Sequence, residues 1–358
     1  RTGGTNAIRA GGALAGILGA GAVGSALAAY LARAGHPVTV VGRPAHVEAI
    51  RAQGGLKTTA RDASFLAPVR ALTGWPEDPP PDMVIMLATQ AMDVRAAGEE
   101  VTDAARSRTV VTWQNGIRAE ETAAPLCPHL LGGVVRFTAT MLLPGEVRLR
   151  RPGQLILGRH PEGPDPTAAA IVEELRAAGF NAAESPRIAE DKALKLLVNL
   201  VSAPPVLLRR SGMEPALARV QVALLEEAAR AYAAAGIVAR PASGLGQTVE
   251  ELLAHFRAGG SAPDTGGGIY NSTWQNLHHH RPRLENDFYH GEIMRLGARH
   301  GVPTPVSARV LETLEEVRRL GLGPEPFDRD AFIARFADVV DLDAPAEDPP
   351  APPPGLEI

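Results

Sequence analysis

The sequence predicts an α/β N-terminal domain followed by an all-α C-terminal domain. As far as about residue 186, short apolar runs bounded by glycine alternate with helical segments, which is the pattern of βαβ units. Beyond that point, the apolar residues follow a helical period in almost every segment. The chain has 358 residues, which is long enough for two domains that each have their own core.

The N-terminal domain begins with an apolar run at residues 14–18, the motif GAGAVG at residues 19–24, a helix-forming run and a second apolar run at residues 37–41. In such a unit the first glycine permits the tight turn, the second lets the backbone approach a pyrophosphate, and the third lets the helix pack on the strand. The phosphates would lie at the helix N-terminus. We therefore predict a Rossmann-type dinucleotide site formed by Gly19, Gly21, Ala22, Val23 and Gly24.

A membrane helix or signal peptide is the alternative interpretation, because residues 11–31 contain no charged side chain. This stretch consists largely of glycine and alanine and is only weakly apolar, whereas membrane spans are dominated by larger apolar residues. The order of strand, glycine turn, helix and strand favours dinucleotide binding.

The end of the second strand indicates which dinucleotide is bound. Sites for NAD usually carry an acidic residue there, which binds the ribose 2′-hydroxyl. This strand ends in Val41-Gly42-Arg43, and no acidic residue follows before Glu48. The guanidinium of Arg43 suits a 2′-phosphate, so NADP(H) is the predicted cofactor, and a solvated surface arginine is the alternative.

Two further strands are expected at residues 82–88 and 109–112, with a helix between them. The loops after the strand C-termini line the ligand crevice of an open α/β sheet. Gln90 and Asn115 follow these strands and are expected at the cofactor edge. Residues 132–159 alternate in polarity and contain two Pro-Gly signals, which predicts antiparallel strands.

A helix expected at residues 188–203 carries Lys192, Lys195, Asn199 and Ser202 on one stripe, because residues three and four apart lie on the same helix face. Such a stripe usually faces water. If it faced a cofactor cleft instead, a lysine and an amide one turn apart could hold a carbonyl group and protonate its oxygen.

Taken together, these motifs resemble the ketopantoate reductase (2-dehydropantoate 2-reductase) family over nearly the whole chain. The resemblance implies an N-terminal Rossmann-type domain, a helical C-terminal domain, and NADPH and a 2-oxo acid meeting in the cleft between them, in pantothenate biosynthesis. The motifs that carry it, in order, are residues 19–24, Arg43, Gln114-Asn115-Gly116, Lys195 with Asn199, Ser272, Glu285 and Thr304-Pro305.

Carried over to this sequence, the resemblance implies that Lys195 is the general acid and that Asn199 and Ser272 orient the substrate. Glu285 would bind a substrate hydroxyl or pair with Lys195, and Asn115 would bridge cofactor and substrate. Lys192, on the same helix face, is the rival candidate for the acid.

Three positions depart from the family pattern. Gln90 replaces a lysine, Ala203 stands where an asparagine is expected, and no amide occurs near Gly212-Met213. Ser202, Arg209 and Arg210 are candidates to replace these groups. The substrate is therefore either 2-dehydropantoate or a different 2-oxo acid, ketone or imine. A non-catalytic dinucleotide-binding protein is a further alternative.

The composition favours a globular protein that acts on a small molecule. Hydrophobic residues make up 45% of the chain and charged residues 21%, and the net charge of −4 provides no basic surface for nucleic acid. We expect no nucleic-acid partner, no membrane association, a cytoplasmic location and a monomer or homodimer.

The cysteine and histidine content predicts no metal site. Cys127 is the single cysteine, which excludes an internal disulfide and a cysteine cluster. His278-His279-His280 with His290 could suggest a metal site, but three consecutive histidines in a turn point in different directions.

Four segments are predicted. Residues 1–12 are a disordered extension, residues 13–186 the NADP-binding domain, residues 187–335 the helical substrate and catalytic domain, and residues 336–358 a disordered, proline-rich tail.

Overall fold

The computed structural model describes residues 15–60, 64–141, 143–149, 153–209, 215–259 and 271–342. The chain divides into two compact units. Unit 1 comprises Arg1–Lys192 and Pro241–Leu245, and unit 2 comprises Ala193–Arg240 and Gly246–Ile358. The extension predicted at residues 1–12 and the tail beyond residue 342 lie outside the described residues, and the predicted domain limits stay a prediction.

Unit 1 is built from strands and helices that mostly alternate along the chain. In order they are β1 (Ala15–Leu18), α1 (Ala22–Arg33), β2 (Val38–Val41), α2 (Pro44–Gln53), β3 (Leu56–Thr59), β4 (Ser64–Ala67), β5 (Arg70–Leu72), β6 (Val84–Leu87), α3 (Val94–Ala105), β7 (Val110–Thr112), α4 (Ala119–Ala123), β8 (Leu130–Arg136), β9 (Ala139–Thr140), β10 (Glu146–Leu149), β11 (Gln154–Arg159), α5 (Pro166–Ala177) and β12 (Asn181–Glu184).

The main sheet of unit 1 has the strand order β12-β11-β8-β7-β6-β1-β2-β5. Strands β5, β2, β1, β6, β7 and β8 pair in parallel. The chain therefore leaves β1 toward β2 on one side and returns to β6 on the other. The point where the strand order reverses lies beside β1, which is where open α/β sheets bind ligands. The predicted α/β domain with a Rossmann-type sheet is confirmed.

The central strands are apolar on both faces because helices cover both sides of the sheet. Val84 and Met86 of β6 pack into one core cluster that also contains residues of α1, and Ile85 and Leu87 pack into another that contains residues of α3. This two-sided burial explains why β6 reads in the sequence as a continuous apolar run.

A second, four-stranded sheet has the order β4-β3-β10-β9. The prediction of antiparallel strands for residues 132–159 is only partly right. Strand β8 is antiparallel to β11 but parallel to β7, and β10 is antiparallel to β9 but parallel to β3. The alternation of polarity in one segment cannot reveal a partner strand that lies far away in the sequence.

The helix α6 (Ile188–Ser202) begins in unit 1 and ends in unit 2. The remaining helices are α7 (Pro215–Ala235), α8 (Val249–Arg257), α9 (Ser272–His278), α10 (His290–His300), α11 (Pro305–Leu320) and α12 (Arg329–Phe336), with short 3-10 helices at Ala91–Asp93, Pro204–Leu207 and Glu285–Phe288. The all-α C-terminal part is thus confirmed for the described residues. None of the described helices combines the length and apolar character that crossing a membrane requires.

Two features of unit 2 differ from the sequence interpretation. The apolar pattern of residues 284–300 predicts one continuous helix, but Tyr289 (φ −114°, ψ −81°) separates the 3-10 turn from α10. Within the predicted tail, Phe336 and Val340 are buried in the core of unit 2, so the apolar residues of this stretch extend the packed structure.

His290 opens α10 and is fully buried (0% exposed). Burial lowers the pKa of its imidazole to about 3, an effect that the backbone carbonyl of Leu200 only partly offsets. His290 is therefore neutral in the folded protein at physiological pH.

This burial predicts a pH-dependent stability. Because the folded pKa lies below the value of about 6.5 for an unfolded histidine, the stabilisation is complete above about pH 6.5 and is lost as the pH falls toward 3. Between about pH 7 and about pH 5, the free energy of unfolding of the wild type should fall by about 2 kcal/mol more than that of His290→Leu. Urea unfolding measures the difference.

The matched control is His300→Gln, since His300 ends the same helix and is exposed. This variant should follow the wild type. Parallel pH dependence of the wild type and His290→Leu would show that His290 does not stay neutral in the folded state.

Candidate active site

The glycine turn forms a cradle at the start of α1. Gly19 has φ +105°, and a Cβ there would lie 2.5 Å from the backbone nitrogen of Thr89. A Cβ on Gly24 would lie 2.2 Å from the carbonyl oxygen of Gly19. Both positions therefore require glycine for reasons of conformation and packing.

Gly21 differs from the other two glycines because, among the described residues other than its chain neighbours, no atom lies within 4 Å of where its Cβ would be. It is the N-cap residue of α1, and no side chain caps the helix. The first-turn residues Ala22 and Val23 are only partly buried. Open space beside an uncapped helix N-terminus fits a pyrophosphate, whose oxygens accept from free N–H groups.

Arg43 precedes α2 as its N-cap residue, and its side chain is exposed. It directly follows Val41-Gly42 at the carboxyl end of β2, the strand that pairs with β1. Arg43 and the glycine turn therefore lie at the same edge of the main sheet.

Two loops on the other side of β1 are joined by Gln114, which follows β7. Its buried side-chain amide donates to the carbonyl oxygens of Leu87 (3.0 Å) and Thr89 (3.1 Å). The loop after β6, which contains Gln90, and the loop after β7, which contains the half-buried Asn115, are thereby held side by side. Gln90 and Asn115 thus follow the carboxyl ends of β6 and β7, and their contact with a cofactor stays a prediction.

Lys192 lies in a buried ion pair rather than on a solvated stripe. Its side chain is 2% exposed, and Nζ lies 2.6 Å from Oε1 of Glu120. The ammonium also donates to the carbonyl oxygens of Gln114 (2.9 Å) and Gly133 (3.3 Å). An ammonium has three N–H donors, and these contacts engage all of them. Lys192 is therefore unsuited to give a proton to a substrate.

Lysine is rare in this protein. Of 36 basic residues only three are lysines, namely Lys57, Lys192 and Lys195. Lys57 makes an exposed ion pair with Glu146 (2.7 Å). Arginine keeps its proton in proteins, whereas lysine can release one. With Lys192 engaged and Lys57 in an exposed ion pair, Lys195 stays the candidate among the three lysines for the predicted acid.

Lys195 and Asn199 lie one turn apart in the part of α6 that belongs to unit 2, and both are half-buried. The Nδ2 atom of Asn199 is buried and makes no hydrogen bond to any residue that the structure describes. A buried amide donor without a partner costs about 1–3 kcal/mol, so a ligand oxygen at this point would be strongly favoured.

Unit 2 brings Ser272 and Glu285 into one neighbourhood with the end of α6. The side-chain amide of Asn271 donates to the carbonyl oxygen of Ser202 (2.6 Å), which fixes the start of α9 and hence Ser272. Thr273 and Asn286 are linked by a buried hydrogen bond (3.2 Å), which holds the 3-10 turn of Glu285 close to α9.

Glu285 itself is buried (7% exposed), and its Oε2 accepts a hydrogen bond from the hydroxyl of Tyr289 (3.1 Å). The bend at Tyr289 that ends the 3-10 turn therefore also places a partner against this carboxylate. Asn199, Ser272 and Glu285 all belong to unit 2, as Lys195 does.

The histidine cluster does not converge on one point. His278 stacks on Trp274 with ring centroids 4.6 Å apart, whereas His290 is fully buried. Among the described residues, no group of three His, Cys, Asp or Glu is placed to hold a metal ion. Burial raises the pKa of Cys127 to about 11, so this thiol is not a nucleophile at neutral pH.

Sequence reasoning missed Glu120 and the bridging role of Gln114. Glu120 lies in the segment AEETA, which reads as an exposed acidic helix turn. Its burial depends on Lys192, which lies in a different helix, so no local pattern could have indicated it. The scarcity of lysine in the sequence could have indicated that Lys192 and Lys195 have specific roles.

Comparison with known proteins gives matches along most of the chain. The family profile described as "Ketopantoate reductase PanE/ApbA" matches residues 15–162, and the profile of the C-terminal domain of that family matches residues 187–318. The 2-dehydropantoate 2-reductase of Pyrococcus horikoshii is 27% identical over 314 residues, which cover 86% of this chain and 98% of the relative.

Solved structures have the same fold. A PanE/ApbA family ketopantoate reductase from Ralstonia eutropha is 24% identical, covers 86% of this chain and 99% of its own, and has a TM-score of 0.69. A D-mandelate dehydrogenase solved with NADH and anilino(oxo)acetate is 22% identical, covers 87% and 99%, and has a TM-score of 0.71. Since the two family profiles match in order and together cover more than half of its residues, this chain belongs to the ketopantoate reductase family of oxidoreductases.

Proposed function

We propose that this protein is an NADPH-dependent reductase that converts a 2-oxo acid, 2-dehydropantoate or a close analogue, into the 2-hydroxy acid. The observation that carries the proposal is the contrast between two lysines on one helix. Lys192 is buried and fully engaged, whereas Lys195 lies one turn from the unpaired amide donor of Asn199. The relative from Pyrococcus horikoshii supports the reaction class.

Lys195 would act on the carbonyl oxygen. When bound, the nicotinamide supplies a hydride to the carbonyl carbon. The ammonium of Lys195 stabilises the negative charge that develops on the oxygen and then donates the proton. Asn199 would donate from Nδ2 to a substrate oxygen, and Ser272 would hold a second polar group of the substrate.

Glu285 and Asn115 complete the proposed site. The Tyr289 hydroxyl donates to Oε2 of Glu285 and so orients this carboxylate, which in the proposed site would bind a substrate hydroxyl or pair with Lys195. Asn115 follows Gln114, whose side chain fixes the loop against β6. This support would allow Asn115 to bridge the cofactor and the substrate without a large conformational change.

Arg43 supports NADP(H) over NAD(H). Its exposed guanidinium lies at the end of β2, where an acidic residue would bind the 2′-hydroxyl of NAD. The related D-mandelate dehydrogenase was solved with NADH, so the preference must be tested on this chain. The glycine cradle would hold the pyrophosphate of either cofactor.

A different 2-oxo acid is the second candidate substrate. Ala203, where the family pattern has an asparagine, is 0% exposed and packs in the apolar core of unit 2. The second missing amide, near Gly212-Met213, and Arg210 lie outside the described residues. Arg209 is exposed. The similarity to a protein solved with anilino(oxo)acetate favours a bulkier 2-oxo acid as the alternative.

The function is tested by measuring NADPH oxidation through its absorbance. The assay is run with 2-dehydropantoate and with a panel of aliphatic and aromatic 2-oxo acids. Turnover of 2-dehydropantoate well above the panel supports the first candidate, and turnover of panel members alone supports the second. Cofactor binding without any turnover would contradict the proposal and indicate a non-catalytic dinucleotide-binding protein.

The three lysines allow a matched set of variants. Lys195→Met should lose most turnover, by at least about 100-fold, while keeping the stability and the NADPH affinity of the wild type. Lys192→Met should lower the free energy of unfolding by about 3–5 kcal/mol, because Glu120 would remain buried without its partner. Lys57→Met, which removes an exposed ion pair, should change stability by about 0–1 kcal/mol and leave turnover intact.

Turnover with each purified variant and urea unfolding measure these effects. Full activity of Lys195→Met would remove Lys195 from the mechanism. A Lys192→Met variant as stable as the wild type would show that the buried ion pair does not hold unit 1 together.

Arg43→Ala tests the choice of cofactor. Loss of the contact to a 2′-phosphate should weaken NADPH binding about 10- to 100-fold and should barely affect NADH. Arg70→Ala is the matched control, because Arg70 is also exposed but opens β5 at the opposite end of the parallel strands. Fluorescence titration with both cofactors gives the ratio, and equal losses for NADPH and NADH would refute the assignment.

A further inference from the structure

Arg136 ends β8 at the edge of the sheet that carries the proposed site. Strand β8 is parallel to β7, and Asn115 follows the end of β7. Lys192 Nζ donates hydrogen bonds to the carbonyl oxygens of Gln114 and Gly133, so the segment after β7 and strand β8 run side by side there. Arg136 lies three residues beyond Gly133, about 10 Å further along an extended strand.

The side chain of Arg136 lies on the face of the sheet that α6 covers. A Cβ on Gly132 would lie 3.2 Å from the side chain of Ile188, and Val134 packs in one cluster with Ile188. Because side chains alternate along a strand, Arg136 shares this face. Its charge interacts with Asp191, in the first turn of α6. Asp191 precedes Lys195 by one helical turn.

Two donors of Arg136 have no partner. Its Nε and Nη2 atoms are buried, and neither makes a hydrogen bond to any residue that the structure describes. Asp191 makes no hydrogen bond to either atom; its oxygens accept from Ser185 Oγ (2.6 Å) and Ser243 Oγ (2.8 Å). By contrast, the Nε and Nη2 atoms of Arg51, an exposed residue, both donate to the carbonyl oxygen of Ala71.

Unpaired buried donors destabilise the folded protein by about 1–3 kcal/mol, and burial lowers the pKa of Arg136. The guanidinium still stays protonated, because its ordinary pKa is so high. The protein thus keeps a cation at the binding edge with two donors that no described residue satisfies.

We propose that Arg136 binds the carboxylate of the 2-oxo acid substrate. This inference rests on the proposed function and names the anchor of the substrate. The Nε–H and Nη2–H groups lie on one edge of the guanidinium and match the two oxygens of a carboxylate in a bidentate pair. Such an anchor would compensate for the asparagine of the family pattern, since position 203 is a buried alanine here.

Oxamate, which has the shape and charge of a 2-oxo acid but carries an amide that cannot be reduced by hydride, is the binding probe. Calorimetry measures its affinity for the NADPH complex of the wild type, Arg136→Met, Arg136→Lys and Arg148→Met. Arg148 is an exposed arginine of β10, so its variant controls for the loss of one positive charge.

Arg136→Met should bind oxamate about 10- to 100-fold more weakly than the wild type, the expected effect of one charge-assisted pair. Arg136→Lys should recover only part of this loss, because an ammonium cannot form the bidentate contact. Arg148→Met should bind like the wild type. The melting temperature of Arg136→Met should be unchanged or higher, since an unpaired buried cation has been removed.

A second readout compares reduction of a 2-oxo acid with that of its uncharged amide. In the wild type kcat/KM should favour the acid, and in Arg136→Met this preference should fall about 10- to 100-fold, with an unchanged Kd for NADPH. A merely structural residue would lower both activities in parallel.

Undiminished oxamate binding by Arg136→Met, or no oxamate binding by the wild type at millimolar concentration, would overturn the inference. If Arg136→Met fails to fold, wild-type affinity in Arg136→Lys would overturn it equally. If the wild type binds oxamate through Arg136 but reduces no 2-oxo acid, the inference stands and the proposed function fails. If 2-oxo acids are reduced equally well by the wild type and by Arg136→Met, the proposed function stands and the inference fails.

Discussion

The buried ion pair between Lys192 and Glu120 is the interaction on which the binding edge of unit 1 depends. One ammonium nitrogen contacts Glu120 on α4, the carbonyl of Gln114 after β7 and the carbonyl of Gly133 in β8. Burying two charges is unfavourable unless their donors and lone pairs are satisfied. Lys192 meets that condition with three acceptors, whereas Oε2 of Glu120 makes no hydrogen bond to any described residue. The loop that carries Asn115 and the first turn of α6 are consequently fixed to each other.

The hydrogen bonds and ion pair of Lys192 distinguish it from Lys195, although the spacing in the sequence places both lysines on one helix face. Lys192 serves the structure because its donors are occupied, and the proposed chemistry falls to Lys195 one turn later. In a chain where almost every other basic residue is arginine, the proposed chemistry gives a physical reason for lysine at position 195. A general acid must release its proton, which arginine does not do in proteins.

Local features could be predicted from the sequence, and long-range ones could not. The glycine turn, the apolar parallel strands and the helical C-terminal half follow from short-range conformation and periodicity, so the fold class and the glycine turn were predictable. The pairing of β10 with β3 and the burial of Glu120 depend on partners distant in the chain. Arg136 read as one polar residue in an alternating strand, since only the structure reveals that its donors lack partners.

Selective acetylation of lysine, with the modified peptides quantified by mass spectrometry, tests the division of roles between these amines most directly. Because the chain contains only three lysines, each site can be followed separately, in the free protein and in the presence of NADPH with oxamate. The account predicts that Lys57 reacts in both states, that Lys192 reacts in neither while the protein is folded, and that Lys195 reacts in the free protein and is protected by the ligands. Ready acetylation of Lys192, or labelling of Lys195 that the ligands leave unchanged, would contradict it.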